Sequence, residues 1–365
     1  MNRSYISIPL LSCLLSALSY AHVITGDSTQ IDVSDEKAKE LHINNYTGDA
    51  VINVPTQYQQ VYVLGSAEIA PYSDDSRSLY VESDSSLLVN GDVISKIVQA
   101  KNGVINSTMQ FSGNVTVKSM FAIAEPSNTV RIGGTLTING LNSFVESGSN
   151  VYVGGVHVVK ALTGVKVAGS IYTNSFVTSA ASTTLQTGSL LAPLDPQIDG
   201  NLVIQSGSTV NCSGTVELDT ELQGGTFSLN EAAVVSAVTL QSGTVNVLGD
   251  AQAGALTLNG GKIVFSDAAT LNLNGAALMF DGDVSITVNV DDVNLLSGTI
   301  VLFENIASDS ILPETLTVTL SDKSQSKQHE VIVQNGAVYL SIPEPASSSL
   351  AILGLATLLL RRRRR

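Results

Sequence analysis

The chain of 365 residues contains no tryptophan, and only 14% of its residues are charged. Lysine and glutamate are scarce, while serine, threonine, asparagine, glycine and valine dominate, a mixture that disfavours helices and suits short strands with polar turns. Cysteine is almost missing: Cys13 lies in the apolar N-terminal segment, which leaves Cys212 alone in the body. One cysteine cannot form an internal staple, so stability has to come from packing. In its strand-like setting beside Val210 and Thr215-Val216, Cys212 reads as a small buried hydrophobe. Basic residues are also few, and the formal charge is −14. Without residues 1–21 and 343–365, twelve basic and thirty-one acidic side chains remain, a charge of −19. A body of that charge is repelled by phosphate backbones, which excludes nucleic acid as a partner.

The chemistry-bearing residues are equally sparse. The histidines are His22, His42, His157 and His329, with no two spaced three or four apart and no paired cysteine, so a zinc site lacks its usual ligands. His329-Glu330 opens like a zincin motif but is followed by Val-Ile-Val-Gln. Gly26-Asp27-Ser28 has the wording of a GDSL-type nucleophile block, yet the partner Asp-x-x-His is missing and the segment reads as a turn. Neither Gly-x-Ser-x-Gly nor Gly-x-Gly-x-x-Gly occurs. Carboxylates do cluster, at Asp74-Asp75, at Asp281 with Asp283, and at Asp291-Asp292. Asp281 and Asp283 are the one weak metal candidate: on a strand they share a face and suit Ca²⁺ with backbone carbonyls, although solvated corner acids are the commoner case. No catalytic residue and no cofactor is expected, and the scarcity of Lys and Arg argues against a lyase or polygalacturonase acting on acidic glycans.

The two ends carry addresses. Arg3 followed by the apolar run Ile6–Leu18 and by Ser19-Tyr20-Ala21 has the three regions of a secretory signal, with cleavage between Ala21 and His22. Leu10-Leu11-Ser12-Cys13 faintly resembles a lipobox, but the apolar run continues beyond Cys13. At the other end, Ile342 precedes Pro343-Glu344-Pro345, then apolar residues 346–360, then Arg361, Arg362, Arg363, Arg364 and Arg365. The 15 residues of 346–360 rise about 22 Å as a helix, short of the roughly 30 Å hydrocarbon core, so seating them takes help from flanking serines and arginines. The five arginines would hold that end in the cytoplasm.

This tripartite terminus resembles the PEP-CTERM sorting signal of Gram-negative bacteria. The resemblance covers only the last 24 residues. It implies that an exosortase recognises Pro343, Glu344 and Pro345, that residues 346–360 are a transient membrane anchor, and that the arginines are the stop. It also implies an exported protein at the outer surface or in the extracellular matrix, with exopolysaccharide or a host glycan as a possible partner besides signal peptidase and exosortase.

Between the ends, one theme recurs: glycine, one residue, then apolar–polar–apolar. Examples are Gly113-Asn-Val-Thr-Val, Gly134-Thr-Leu-Thr-Ile, Gly200-Asn-Leu-Val-Ile and Gly243-Thr-Val-Asn-Val. The alternation is that of half-buried strands, and the leading glycine suggests a corner with positive φ. Gly113, Gly134 and Gly155 are 21 apart, and Gly225, Gly243 and Gly261 are 18 apart. Intervals near 20 fit one rung of a right-handed parallel β-helix or β-solenoid, with turn asparagines paired along its corners. β-Sandwich modules are the alternative, and the closer steps from Gly200 to Gly214 and Gly225 lean towards them. The wording of residues 200–280 is similar to the strand repeats of autotransporter passengers, but no C-terminal membrane barrel follows.

The reading divides the chain into a signal peptide (1–21), a β-rich N-terminal cap (22–90), solenoid repeats (91–286), a β-rich closing region (287–341) and the sorting segment (342–365). It places a short helix over Asp35–Leu41 behind Ser34 as N-cap. Leu191–Asp199, with two prolines, should project as a loop. The expected function is that of a non-enzymatic structural or adhesive surface protein. A carbohydrate-active β-helix enzyme and a glycan-binding adhesin are the alternatives.

Overall fold

A computed structural model describes residues 21–26 and 39–342, apart from 49, 101–102, 141, 160–163, 180, 267–268, 290–297, 314 and 321–325. The chain coils as a β-solenoid of stacked parallel strands, neither a sandwich nor a barrel. Each rung contributes to three sheets. One rung illustrates the path: Asn150–Val158 supplies the first sheet with Asn150–Val153, bends at Gly154-Gly155, and supplies the second with Val156–Val158. Val165–Val167 lies in the third sheet, and Ser170–Thr173 returns to the first, directly against Asn150–Val153. Strands of three to five residues suffice because every backbone group is paired with the rungs on either side.

Alternation sends every second side chain inward. Within this rung Val151, Val153, Val156, Val158, Val165 and Val167 are all buried. Parallel in-register pairing then stacks each inward residue on its counterpart one rung away. In the third sheet this makes the column Val145, Val167, Leu185, Cys212, Leu229, Val247, Phe265 and Val288. Cys212 is fully buried in that column, as its sequence setting suggested. Burial pushes its thiol pKa up to about 11.

The sequence steps that leaned towards a sandwich have a simple geometric origin. Gly200 leads into the second sheet, Gly214 into the first, and Gly225 sits in the bend entering the third. Such glycines lie on different faces, so their separation does not measure rung height. Gly113, Gly134 and Gly155 all lead into strands of the second sheet, whose register steps by 21 from Val115 to Leu136 and by 20 from Leu136 to Val156, so their interval follows rung height to within one residue.

The role of these glycines differs from the expectation. Of the theme's described glycines, Gly243, Gly261 and Gly336 have positive φ; Gly155, Gly254 and Gly282 do not, and neither do Gly113, Gly134, Gly200, Gly214 and Gly225. At those five a Cβ would overlap the neighbouring rung or crowd it: Gly134 meets the Asn114 side chain, and Gly225 meets Ile204 and the Gln205 carbonyl. Close stacking, more than dihedral freedom, requires the missing side chain. Positive φ is concentrated instead at the turn from the third sheet to the first, at Asp84, Asn106, Ser127, Gly148 and Gly188. Each is followed by an inward polar residue: Ser85, Ser107, Asn128, Ser149 and Ser189. Asn128 receives hydrogen bonds from the Ser107 amide (2.9 Å) and hydroxyl (2.8 Å), and donates to the Val104 carbonyl at 2.8 Å.

Pairing extends across the boundary at residue 90. Ser73–Val81 pairs with Val93–Ala100, and the same third sheet runs back through Gln60–Leu64 and Glu40–Tyr46 to Ala21–Gly26. Glu40-Leu41 is therefore strand, which corrects the end of the helix expected over Asp35–Leu41; its remaining described residue, Lys39, is not helical, and residues 34–38 lie outside the described residues. At the other end, strands turn antiparallel. Gly298–Glu304 and Ser326–Gln334 both pair with Ala337–Ile342, and Ser326–Gln334 also pairs with Thr315–Leu320. Antiparallel strands thus occupy edge positions that another parallel rung would use.

The stacking argument predicts different outcomes at two glycines of similar φ. Gly243→Ala should lower the denaturation midpoint more than Gly275→Ala, because its Cβ overlaps the Gly225 carbonyl whereas nothing lies within 4 Å at Gly275. Strain alone costs about 1–3 kcal/mol. Equal losses in urea titrations would leave φ as the whole reason for both.

Candidate functional site

Outward side chains obey the same register, so like stacks on like at the surface too. On the first sheet, Arg131, Tyr152 and Tyr172 occupy equivalent positions of three successive rungs. The tyrosine rings stack with centroids 4.8 Å apart and planes 8° apart. The Arg131 guanidinium lies 4.3 Å from the Tyr152 centroid on the ring's other side, a cation–π contact that holds it flat against the stack. Ala192 follows in register and ends the stack.

Beside this stack lies a depression of about 400 Å³, bordered by Gln110, Arg131, Tyr152 and the exposed backbone of Ser112 and Gly133. Leu194 closes one end. It belongs to the two-proline segment, which is a loop from Pro193 to Asp199 as expected, with Leu191-Ala192 still in strand. The loop is held by the Leu194 amide donating to Asn174 Oδ1 (3.1 Å) and the Gln197 amide donating to Asp195 Oδ1 (3.0 Å). Arg131 makes no ion pair among the described residues. With Arg77 buried, it is the one exposed arginine there.

A second stack lies on the third sheet near the N-terminal end. His42 stacks on Tyr62 at 4.5 Å, and Tyr62 on Tyr80 at 4.9 Å. His42 Nε2 is 3.4 Å from Glu40 Oε2. Desolvation, then the charge of Glu40, the neighbouring Tyr80 and the charge of Glu82, push the Tyr62 phenol up to about 12. These acids give this stack the opposite electrostatic character.

The remaining cluster of perturbed groups is structural. Arg77 is fully buried: Nε donates to the Tyr58 carbonyl (3.1 Å), Nη2 to the Pro55 carbonyl (3.0 Å), and Asp74 Oδ2 lies 3.7 Å from Nη2. Its guanidinium sits 4.6 Å from the Tyr72 ring, whose hydroxyl donates to Ser95 Oγ at 3.2 Å. The group ties the segment 55–58 to the strand Ser73–Val81. Hydrogen bonding from Ser76, with the charge of Arg77 adding to it, holds Asp74 below its usual range.

The sequence-marked positions fall elsewhere. Asp281 and Asp283 are exposed in the bend between Leu278–Phe280 and Val284–Val288, not on a strand, so they do not share a strand face. Gly282 between them breaks the extended path, pressed against the Asn259 backbone of the previous rung. Among the described residues no three His, Cys, Asp or Glu side chains group as a metal site would. Ala21 and His22 begin the first described strand. Pro343, Glu344, Pro345 and Arg361–Arg365 lie outside the described residues, as do Asp27, Ser28, Asp291 and Asp292.

The arginine–tyrosine stack was not among the residues singled out from the sequence. Its signal was available in part: Arg131 and Tyr152 are 21 apart, as Gly134 and Gly155 of the same rungs are, and Tyr172 follows 20 later. No family model, curated protein or solved structure matches this chain.

The Arg77 cluster generates a pH prediction. Burial pushes the Tyr72 phenol from 10.0 up to about 12. The folded state therefore favours its neutral form, which contributes stability below about pH 10 that is lost as pH rises towards 12. Tyr72→Phe, which cannot ionise, should give a shallower fall of the denaturation midpoint over that window. An unchanged slope would remove Tyr72 from the account.

Proposed function

We propose that this chain is an exported, exosortase-processed structural or adhesive protein of a Gram-negative cell surface or extracellular matrix, without enzymatic activity. The observation that carries the structural part is the continuous parallel ladder, an extended scaffold whose outer faces repeat from rung to rung. Export rests on the sequence: the N-terminal signal pattern and the Pro343-Glu344-Pro345, apolar and arginine segments.

Both processing points are compatible with an intact ladder. Cleavage between Ala21 and His22 leaves His22–Gly26 in register with Glu40–Tyr46. Removal of the segment beginning at Pro343 leaves Ala337–Ile342 paired on both sides. Signal peptidase and exosortase would therefore act at the two ends of the ladder, and residues 346–360 would meet the membrane only in transit.

Glycoside hydrolysis uses two carboxyl groups flanking one sugar bond. The arginine–tyrosine site has no carboxylate in its lining. Asp281 and Asp283 sit in an exposed bend, where solvated acids are the ordinary case. These features favour the non-enzymatic reading over a carbohydrate-active enzyme.

Cell fractionation with mass mapping of the mature termini tests the proposal. The expected product is exterior to the inner membrane, starts at His22 and lacks Arg361–Arg365; an intact arginine tail on most of the protein would remove exosortase from the account. No turnover is expected on a broad panel of glycans. Turnover abolished by Asp281→Asn or Asp283→Asn, with the fold unchanged, would establish an enzyme instead.

A further inference from the structure

We infer that the outward face of the first sheet, from Glu68 to the loop at Leu194, is a binding groove for an extended, uncharged polysaccharide. The inference deepens the adhesive reading above, on which it rests for the presence of such a chain outside the cell. Six in-register residues run along the face: Glu68, Leu88, Gln110, Arg131, Tyr152 and Tyr172. A parallel row of Ser66, Ser86, Thr108, Thr129, Asn150 and Ser170 lies two residues before them on each strand. Six strands at a spacing of about 4.8 Å span about 24 Å, enough for a run of several sugar rings laid along the axis.

The shape supports a linear occupant. Two depressions lie on this face, about 260 Å³ beside Ser66, Glu68, Ser86 and Leu88, and about 400 Å³ beside Gln110, Arg131 and Tyr152. They adjoin, because Leu88 and Gln110 are register partners. Leu194 supplies an apolar stop at the far end.

The chemistry selects the class. Hydroxyls, amides and one guanidinium alternate with the apolar surfaces of Leu88 and Leu194 and the outward edges of the stacked tyrosine rings. That pairing suits a ligand whose hydroxyl rim and C–H faces alternate. Glu68, the only carboxylate of the two rows, already accepts a hydrogen bond from Asn90 Nδ2 at 2.7 Å. Arg131 is therefore a donor with no carboxylate competing for it along the face. A polyanion is disfavoured despite Arg131, since one cation faces a chain of net charge −14. The second aromatic stack differs here in charge: Glu40 and Glu82 flank His42, Tyr62 and Tyr80.

Affinity electrophoresis of the full chain through gels containing hydroxyethyl cellulose, galactomannan, soluble β-1,3-glucan or polygalacturonate tests the inference. Retardation by at least one uncharged polymer is expected. Arg131→Ala and Tyr152→Ser should weaken it about tenfold or more. Tyr62→Ser, on the other stack, should leave it unchanged. Gln110→Ala, at an exposed position, serves as a third probe that spares the fold, and circular dichroism checks every variant. No retardation by any uncharged polymer, retardation by polygalacturonate alone, or binding indifferent to all three first-sheet substitutions would overturn it. So would self-association abolished by those substitutions, which assigns the face to a second copy of this chain. Because the assay is made on purified protein, its failure is distinct from a failure of export or processing.

Discussion

Backbone hydrogen bonding between successive rungs fixes how closely the coils of this chain approach, and most other features follow from that spacing. Neighbouring parallel strands lie about 4.8 Å apart, so a residue and its counterpart one rung away are always in contact. Inside, this makes continuous columns of aliphatic residues that no single strand could bury. At the corners it leaves no room for a Cβ where the backbone bends inward, which is why Gly113, Gly134 and Gly225 are glycine although their φ angles do not demand it. The same spacing brings side-chain amides within reach of the previous rung. Asn230 donates to Ser213 at 2.9 Å, Asn246 to Ser228 at 3.2 Å and Asn274 to Gln252 at 3.1 Å.

Much of the fold was legible because a solenoid writes its rung height into the sequence. The interval of 21 between Gly113, Gly134 and Gly155 matches to within one residue the register that joins their strands. Where a rung has other glycines at other corners, the interval misleads, as between Gly200 and Gly225. Residues 40–90 escaped the pattern for a related reason. Their corners use Asn45, Gly65 and Asp84 in left-handed conformations, so the Gly-led wording shows once, at Gly65-Ser-Ala-Glu-Ile, and sets no interval while the ladder is present. The buried corner residues Ser85, Ser107, Asn128, Ser149 and Ser189 were illegible, because a small polar residue in a turn looks solvated until the turn is seen to fold inward.

The candidate site was harder to read than the fold. Reading for chemistry singles out acids, histidines and cysteines, and here those are scattered: Asp281 and Asp283 in a bend, Cys212 in a hydrophobic column, His42 against Tyr62. Arg131, Tyr152 and Tyr172 carry no motif within one stretch of sequence. They become a unit only when one-rung register is imposed on the chain. In a solenoid a functional surface is assembled along the axis, so its residues recur at rung intervals and never as neighbours.

Register also explains how a loop can be inserted beside that surface without loss of the core. The path from Phe176 to its partner Leu202 is longer than a standard rung, yet the strands on either side pair without a break. The excess is placed between Ala192 and Asn201, at the corner of the first and second sheets, where the chain leaves one face and can travel outward before entering the next. Two prolines in that stretch withdraw no donor from the ladder. The Leu194 and Asn174 contact then returns the loop to the rung above, towards Tyr152 and Gly133. A rigid repeating core and a variable corner are thus independent. The core sets where Arg131 and the tyrosines stand, and the corner decides what shape of groove they face.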